Sequence, residues 1–322
     1  MKNIAIVGAT GLVGEKLVEI MSENLSGANV RLFGNSSVGS FVKYKGKDTL
    51  VEHCDNLLNA QLDYAMFMAT NEVAAKYIPK LIKRGVTCID NSSHFRLKNG
   101  VPLVVPCING HTIANSLLIA NPNCSTIQVV IALNALKELG LTKMTAVTYQ
   151  AVSGAGRDGI IDLSEKNSYG KLKAFRHPIY DNVIPMIGDL RKDGFTTEER
   201  KLTDESRKIL DLPRLKVNAF CARIPVTTGH GVFVNAHFKQ KVDLDHVRSL
   251  MKNAPNVLLL DDPTNGLYPM PTTVRNTKYV GVGRLVKDPT SNAINFFVVA
   301  DNLLRGAAYN AYEILQYCTQ SK

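Results

Sequence analysis

The run Asn121-Pro122-Asn123-Cys124-Ser125-Thr126 sets a cysteine between an apolar strand-like segment and an apolar helix-like one. Pro122 and Asn123 end the strand, and Ser125 or Thr126 can open the helix. The Cys124 thiol then stands at or near a helix N-terminus, where free amides and the helix dipole favour the thiolate. A thiolate so placed is a nucleophile able to carry an acyl group as a thioester. For an arbitrary cysteine a small buried hydrophobe is the usual reading, and the other five lack such a setting. Cys88 and Cys221 fall inside strands, Cys107 in a loop and Cys318 in the last helix, while Cys54 has no convincing partner.

A nucleophile calls for a base, and of seven histidines His230 stands out, in Arg223-Ile-Pro-Val-Thr-Thr-Gly-His230-Gly. It follows a strand-like segment and sits in a glycine-flanked turn, suited to presenting a side chain into a cleft. His94, His177 and His237 have weaker claims. Arg223 can form a bidentate clamp on a carboxylate. Arg96, in Asp90-Asn-Ser-Ser-His-Phe-Arg96, follows a buried strand and lies in a loop at the carboxyl end of a sheet, a second place for an anion. Glu198 and Lys201 are three residues apart and share a helix face. On spacing alone a surface ion pair is the preferred reading of those two.

Near the start, Gly8-Ala9-Thr10-Gly11-Leu12-Val13-Gly14 follows a short apolar strand and opens a helix. This is G-x-x-G-x-x-G, a variant of the dinucleotide fingerprint. Gly8 permits the tight turn, Gly11 lets backbone approach a pyrophosphate, and Gly14 allows close helix–strand packing. A thiolate near a nicotinamide is the arrangement needed to hold an acyl group while hydride moves to or from it. The end of the second strand, Gly34-Asn35-Ser36-Ser37-Val38-Gly39, has no acid for a ribose hydroxyl, which disfavours strict NAD use. Ser36 and Ser37, with Lys43 or Lys45, can accept a 2′-phosphate, so NADP is expected. An ordinary polar turn is the plainer alternative.

The elements that must position these groups follow from periodicity. Strands are expected at 4–7, 30–33, 64–69, 86–90 and 117–120, and helices at 12–21, 72–84 and 126–139. That rhythm is a parallel sheet covered by helices. After about residue 140, longer alternating strands at 145–152, 216–225, 233–238 and 295–300 suggest a mixed or antiparallel sheet, with helices at 197–210 and 243–253. A last helical pattern at 302–317 is expected to pack on the first domain, and 261–271 reads as an ordered loop. The fold expected is therefore α/β: a Rossmann-like dinucleotide-binding domain, 1–123 with 301–322, and an α+β catalytic domain, 124–300, with a mixed sheet.

Bulk properties narrow the classes. The 322 residues suffice for two domains, and 45% hydrophobic with 20% charged residues is ordinary for a globular chain. No apolar stretch is long enough to span a bilayer, and the start runs straight into a strand, leaving no signal peptide. Scattered cysteines without a C-x-x-C pair argue against a disulfide framework, no metal is expected, and the expected compartment is the cytosol. The net charge of +10 is spread along the chain rather than gathered in basic runs. A solvated basic surface that attracts an anionic substrate is preferred to nucleic-acid binding.

Taken together these residues resemble the bacterial aspartate-β-semialdehyde dehydrogenases, nearly end to end. The resemblance rests on G-A-T-G-L-V-G at the start, D-N-S-S-x-F-R at 90–96, N-P-N-C-S-T at 121–126 and Y-Q-A-V-S-G-A-G at 149–156. It continues through N-V-I-P at 182–185, E-E-R-K at 198–201, R-I-P-V-x-x-x-H at 223–230 and D-N-L-L-R-G-A-A at 301–308. It implies a fold of the glyceraldehyde-phosphate-dehydrogenase-like type. It also implies reduction of L-aspartyl 4-phosphate by NADPH to aspartate semialdehyde and phosphate, the branch step toward lysine, threonine, methionine and diaminopimelate. By resemblance Cys124 is the acyl-thioester nucleophile, His230 the acid–base group and Gln150 the residue that positions the substrate. Arg223 resembles the carboxylate clamp and Glu198 the partner of the substrate amine. Arg96 and Lys201, assisted by Asn123, resemble the phosphate site. Thr10, Gly11, Leu12, Val13, Ser153, Gly154 and Asn302 would contact the cofactor. A homodimer or dimer of dimers, built through the second domain's sheet, is also implied.

Three departures stand out. Ser36-Ser37 replaces the Arg-Ser pair common for the 2′-phosphate, so NAD use is open. Gly231 stands where serine is common, and 178–182 differs from the usual run. The alternatives are an N-acetyl-γ-glutamyl-phosphate reductase, for which Glu198 would lack a substrate amine, and a non-catalytic Rossmann nucleotide sensor.

Overall fold

The computed structural model describes residues 1–320, which form two compact units: Met1–Pro122 with the chain from Ala307 onward, and Asn123–Gly306. The crossings thus fall at 122/123 and 306/307, against an expected 123/124 and 300/301.

The first unit is built on a seven-stranded sheet in the order β3-β4-β2-β1-β5-β6-β7. Its strands are β1 (Lys2–Val7), β2 (Ala28–Gly34), β3 (Phe41–Tyr44), β4 (Lys47–His53), β5 (Tyr64–Phe67), β6 (Thr87–Asp90) and β7 (Leu118–Ala120). All neighbours are parallel except β3 with β4. Ile4, Ala5, Ile6 and Val7 are all but inaccessible, as a central strand covered on both faces requires. Helix α1 (Leu12–Asn24) follows β1 and α2 (Asn71–Ile82) follows β5, with a short α3 (Pro106–Asn109) before β7. β1 is flanked by β2 on one side and β5 on the other, so the loop after it lies where the winding reverses, the usual ligand position in such sheets. The C-terminal helix Tyr309–Gln320 packs back on this unit through Tyr312, whose hydroxyl donates to Asn24 O (3.3 Å).

The β3–β4 hairpin was not expected from periodicity, and its direction matters. Tyr44 pairs with Lys47, while β4 pairs with β2 at Val51 to Leu32 and His53 to Gly34. Lys43 and Lys45 therefore lie toward the amino end of the parallel strands. Lys45 N–H also donates to Ser22 late in α1 (2.7 Å).

The second unit holds a six-stranded mixed sheet, β11-β12-β13-β10-β8-β9. Helices α4 (Cys124–Asn134), α5 (Gly156–Ser164), α6 (Thr197–Ile209) and α7 (Leu244–Asn253) accompany strands β8 (Leu141–Gln150), β9 (Lys216–Arg223), β10 (His230–Phe238), β11 (Val257–Leu259), β12 (Val280–Lys287) and β13 (Ala293–Ala300). β8 runs parallel to β9 and antiparallel to β10, and β10 runs antiparallel to β13. The ends of β8, β9 and β13 and the start of β10 therefore meet at one edge of the sheet. One face carries Met144, Ala146, Ala219, Val232 and Val234, all buried, beneath α4 and α6. The other presents Val147, Tyr149, Phe220, Phe233 and Phe297, of which Tyr149 and Phe220 are 39% and 51% exposed. Gly231 on this face lies against Phe297, whose Cζ would sit 2.5 Å from an added Cβ, so no larger residue fits there unless that ring moves.

The two-unit α/β fold with a parallel-rich first sheet and a mixed second one matches the expectation. The differences are local. β8 starts at Leu141 rather than 145, because Thr142 and Lys143 continue the alternation unremarkably in sequence. His230 is the first residue of β10 rather than part of a turn. The turn residue is Gly229, at φ +103° with Pro271 against its Cα. The last helical stretch is divided, a π-helical turn Leu304–Ala308 preceding the α-helix. No helix of the described residues is long and apolar enough to cross a membrane.

Candidate active site

Asn123 determines how the nucleophile is presented. It is the N-cap of α4, its side-chain oxygen accepting from Ser125 N (3.0 Å) and Thr126 N (3.3 Å), so the helix begins at Cys124 itself rather than at Ser125 or Thr126. Cys124 occupies the first helical position, where amides point outward without intrahelical partners. Gly306, in the π-helical turn, lies so close that an added Cβ would be 3.1 Å from the Cys124 Cβ. π-Helical turns of this kind are frequent at functional sites. Burial pushes the Cys221 thiol up to about 12, that of Cys54 up to about 11, and that of Cys88 higher still, which keeps those three protonated.

Two carboxylates of α6 hold Asn123. Glu205 accepts from its backbone N–H (2.7 Å), and Glu198 accepts from its Nδ2 (2.9 Å). Glu198 also accepts from Gln150 Nε2 (3.3 Å) at the end of β8 and from Lys201 Nζ (3.1 Å). Burial raises the Glu198 carboxyl, but Lys201, Asn123 and Gln150 together outweigh it and leave the group below the ordinary carboxylate range. Glu198 is thus a buried anion at the centre of a network, not half of the surface ion pair that its spacing suggested. Helical spacing identifies a shared face without saying whether the face is wet.

Gln150, Arg223 and His230 meet at the sheet edge formed by β8, β9 and β10, Gln150 pairing with Arg223 and Gly231 with Tyr149. Ala151 serves both other side chains through its backbone. Its N–H donates to His230 Nδ1 (3.0 Å) and its carbonyl accepts from Arg223 Nη1 (2.8 Å). With Nδ1 accepting, the neutral imidazole carries its hydrogen on Nε2. Burial first, and the Arg223 charge second, lower the His230 pKa to about 3. His230, expected as the acid–base group, is thus held with Nδ1 as acceptor and a hydrogen on Nε2. Its Nε2 is buried without a partner and lies 3.2 Å from where a Gly154 side chain would begin. A substrate oxygen is the partner such a group lacks.

The expected cofactor residues fall in both units. In the first, Gly8 adopts φ +80° with Met68 O 2.4 Å from where a Cβ would be, and a Cβ on Gly14 would lie 2.0 Å from Gly8 O. Both glycines are therefore demanded by packing. Gly11, whose added Cβ would meet nothing closer than 3.4 Å, is not, so its bare backbone serves approach from outside. Gly11 caps α1 without a side-chain bond, leaving the first-turn amides of Leu12 and Val13 to face an anion. That arrangement fits a dinucleotide pyrophosphate. Thr10 Oγ1 donates to Ser37 Oγ (2.8 Å), tying the glycine loop to the turn with Ser36 after β2. Lys43 and Lys45 lie toward the opposite end of the sheet and do not join this cluster. In the second unit, Asn302 Nδ2 donates to Ser153 Oγ (3.0 Å) and Asn302 Oδ1 accepts from Gly229 N (2.8 Å), with Gly154 adjoining.

Arg96, in the first unit, is buried in the loop beyond β6 and donates through Nη2 to Asn91 O (2.8 Å). Among the described residues no group of three or more His, Cys, Asp or Glu could hold a metal. Sequence reasoning did not find Ala151, Glu205 or Gln128, whose Nε2 donates to His230 O (3.0 Å). Ala151 acts only through its main chain, which leaves no side-chain signal. Glu205 is seven residues after Glu198 on the same helix face, a spacing that would have flagged it.

Comparison with known proteins came to the same place. The family described as semialdehyde dehydrogenase, NAD binding domain, matches residues 3–116, and that described as semialdehyde dehydrogenase, dimerisation domain, matches 133–305. The chain is 38% identical to aspartate-semialdehyde dehydrogenase of Aquifex aeolicus, covering 97% of this chain and 96% of that one. It is 36% identical to the Bacillus subtilis enzyme of that name, over 98% and 96%. Its fold matches crystal structures of aspartate semialdehyde dehydrogenase II from Vibrio cholerae, one in complex with ASA, with TM-score 0.95 and 34% identity; coverage of the uncomplexed one is 99% of each chain.

Proposed function

The chain belongs to the aspartate-semialdehyde dehydrogenase family, and from that premise we propose how its own residues carry out the reductive dephosphorylation of aspartyl phosphate to aspartate semialdehyde. The observation that carries the reading is the link from Asn123, beside the nucleophile, through Glu198 to Gln150, at the sheet edge that also holds Arg223 and His230. It supports reading Arg223 as a carboxylate clamp and Glu198 as an ammonium partner, the pattern an α-amino acid acyl phosphate needs.

In this reading Arg223 grips the α-carboxylate and the ionised Glu198 takes the ammonium group. Cys124 thiolate attacks the acyl carbon, forming the C–S bond, and the tetrahedral oxyanion accepts a hydrogen bond from His230 Nε2. The C–O bond to phosphate then breaks, and the leaving phosphate takes up the proton that the overall reaction consumes. Lys201 holds that phosphate. When bound, the nicotinamide cofactor supplies hydride to the thioester carbon. A second oxyanion forms against the same His230 donor and collapses to aldehyde, returning the thiolate. Neither collapse requires His230 to give up a proton, so an imidazole that stays neutral is sufficient.

The cofactor in this proposal is NADP, with NAD accepted, because the turn at Ser36 and Ser37 offers hydroxyls and no acid but also no cation. The half-exposed aromatic face of the second sheet, around Tyr149 and Phe220, is the proposed homodimer surface. The test is phosphate-dependent reduction of NADP and NAD by aspartate semialdehyde, run beside the N-acetylglutamate aldehyde. Turnover of the first and not the second is expected, and no turnover of the first would overturn the reading.

A further inference from the structure

Asp162 is fully buried on α5 and draws the following loop onto itself. Its carboxylate accepts from the backbone N–H groups of Lys173 (2.9 Å), Ala174 (2.8 Å) and Phe175 (3.2 Å), and from Asn167 Nδ2 (3.1 Å). Three consecutive amides converging on one carboxylate fix the backbone at Phe175. Burial raises that carboxyl, but these donors outweigh it and hold it below the ordinary range, so it is ionised wherever the enzyme works. The ring of Phe175 is delivered to two neighbours. Its Cζ is 3.2 Å from where a Cβ on Gly159 would stand, and its centroid is 5.9 Å from the Arg223 guanidinium carbon. The Arg223 guanidinium is thereby bounded twice: Ala151 O takes a hydrogen of Nη1, and the Phe175 ring adjoins the group.

We propose that Phe175 is a specificity-determining residue of the carboxylate subsite and that Asp162 is its positioning residue. The proposal rests on the reading of Arg223 as the carboxylate clamp. An aromatic ring beside the guanidinium keeps water from that side and limits the orientations of the cation, so a planar carboxylate meets the fork in one plane. It also sets a wall beside the α-carbon, restricting the subsite to a small amino-acid head. The loop carries this wall from outside the sheet, and its closure depends on a single buried charge.

The experiment is steady-state kinetics of the holoenzyme variants Phe175→Leu, Asp162→Asn and the double variant, with Arg223→Lys as reference. Phe175→Leu should raise KM for aspartate semialdehyde roughly tenfold, leaving kcat within about twofold and KM for phosphate and cofactor unchanged. Asp162→Asn should do the same, and the double variant should be no worse than either single one, because both remove one device. Phe175→Leu also tests the idea should Asp162→Asn fold poorly. Unchanged KM for the semialdehyde in Phe175→Leu, or a parallel rise for phosphate, would overturn the proposal provided Arg223→Lys raises that KM. If Arg223→Lys leaves it unchanged, the clamp reading itself fails and this inference with it.

Discussion

Ala151 donates its backbone N–H to Nδ1 of His230, and that one bond at 3.0 Å decides what the histidine can do. The ring hydrogen lies on Nε2, facing Gly154, and a second proton would have to sit against an N–H already pointing at Nδ1. Burial and the Arg223 charge act in the same direction and bring the pKa to about 3. With Nδ1 accepting, His230 is held with a hydrogen on Nε2, which suits the proposed hydrogen bond to a substrate oxygen.

The pH dependence follows with a definite sign. In the unfolded chain the imidazole titrates near 6.5, in the folded one near 3. Between those values the unfolded state binds the proton and the folded state does not, so stability falls as the pH is lowered from about 6.5 toward 3, at up to ~1.4 kcal/mol per pH unit. The contribution is complete above pH 6.5. Urea unfolding across that window should show a shallower slope in His230→Asn, by about one proton. The same variant should lose roughly 10²- to 10³-fold in kcat through the missing donor. An equal slope in both proteins would contradict the buried neutral ring.

Asn123 caps the helix and binds Glu198 at once, so two substitutions separate the roles. Asn123→Ala loses the cap, costing ~1 kcal/mol and roughly 2 °C in Tm, and loosens the helix start beneath Cys124, so kcat should fall. Asn123→Asp keeps a capping oxygen but sets a second carboxylate against Glu198. Repulsion would raise the Glu198 pKa, and KM for the semialdehyde should climb as pH drops below neutrality. A KM flat with pH in Asn123→Asp would remove Glu198 from substrate binding.

Cofactor choice is tested at the end of β2. Ser36→Arg should raise the NADP to NAD ratio of kcat/KM by roughly tenfold or more, since a guanidinium there can fork onto a 2′-phosphate. Lys43→Ala and Lys45→Ala should leave the ratio unchanged, because the hairpin register carries both toward the far end of the sheet. A drop in the ratio for either lysine variant would show that the hairpin serves the cofactor after all.

The aromatic sheet face offers a test of assembly. Phe220 is 51% exposed, and in a twofold interface it would meet the partner's copy of the same surface. Phe220→Asp would place two charges in that contact and should shift sedimentation from dimer to monomer without lowering helix content. A dimer that persists unaltered would put the interface elsewhere.

How far these arrangements can be read in advance depends on what kind of group does the work. Gly8, Gly14 and the Asn123-Cys124 pair announce themselves because turn, close packing and helix cap each demand particular residue types. Glu198 does not, since helical spacing is the same for a buried network and a wet ion pair. The hydrogen bond that orients the His230 ring is equally silent, because Ala151, a main-chain partner with no distinctive side chain, makes it. The β3–β4 hairpin escaped periodicity through short, exposed strands such as Phe41–Tyr44, and only its register removes Lys43 and Lys45 from the cofactor.

The covalent step is the sharpest test. Without cofactor, aspartyl phosphate should release one phosphate per active site in the wild-type protein, because the thioester on Cys124 forms and then waits for hydride. Cys124→Ala should release none and show no steady-state turnover. Its dinucleotide affinity should stay near wild type, since Cys124 is not among the residues expected to hold the cofactor. Iodoacetamide should alkylate Cys124 well before Cys88 or Cys221, whose thiols burial keeps protonated. Mass spectrometry of the quenched reaction should then find the acyl group on the peptide holding Cys124. Appreciable turnover in Cys124→Ala, or a stoichiometric phosphate burst from it, would mean that the acyl group never rests on this sulfur.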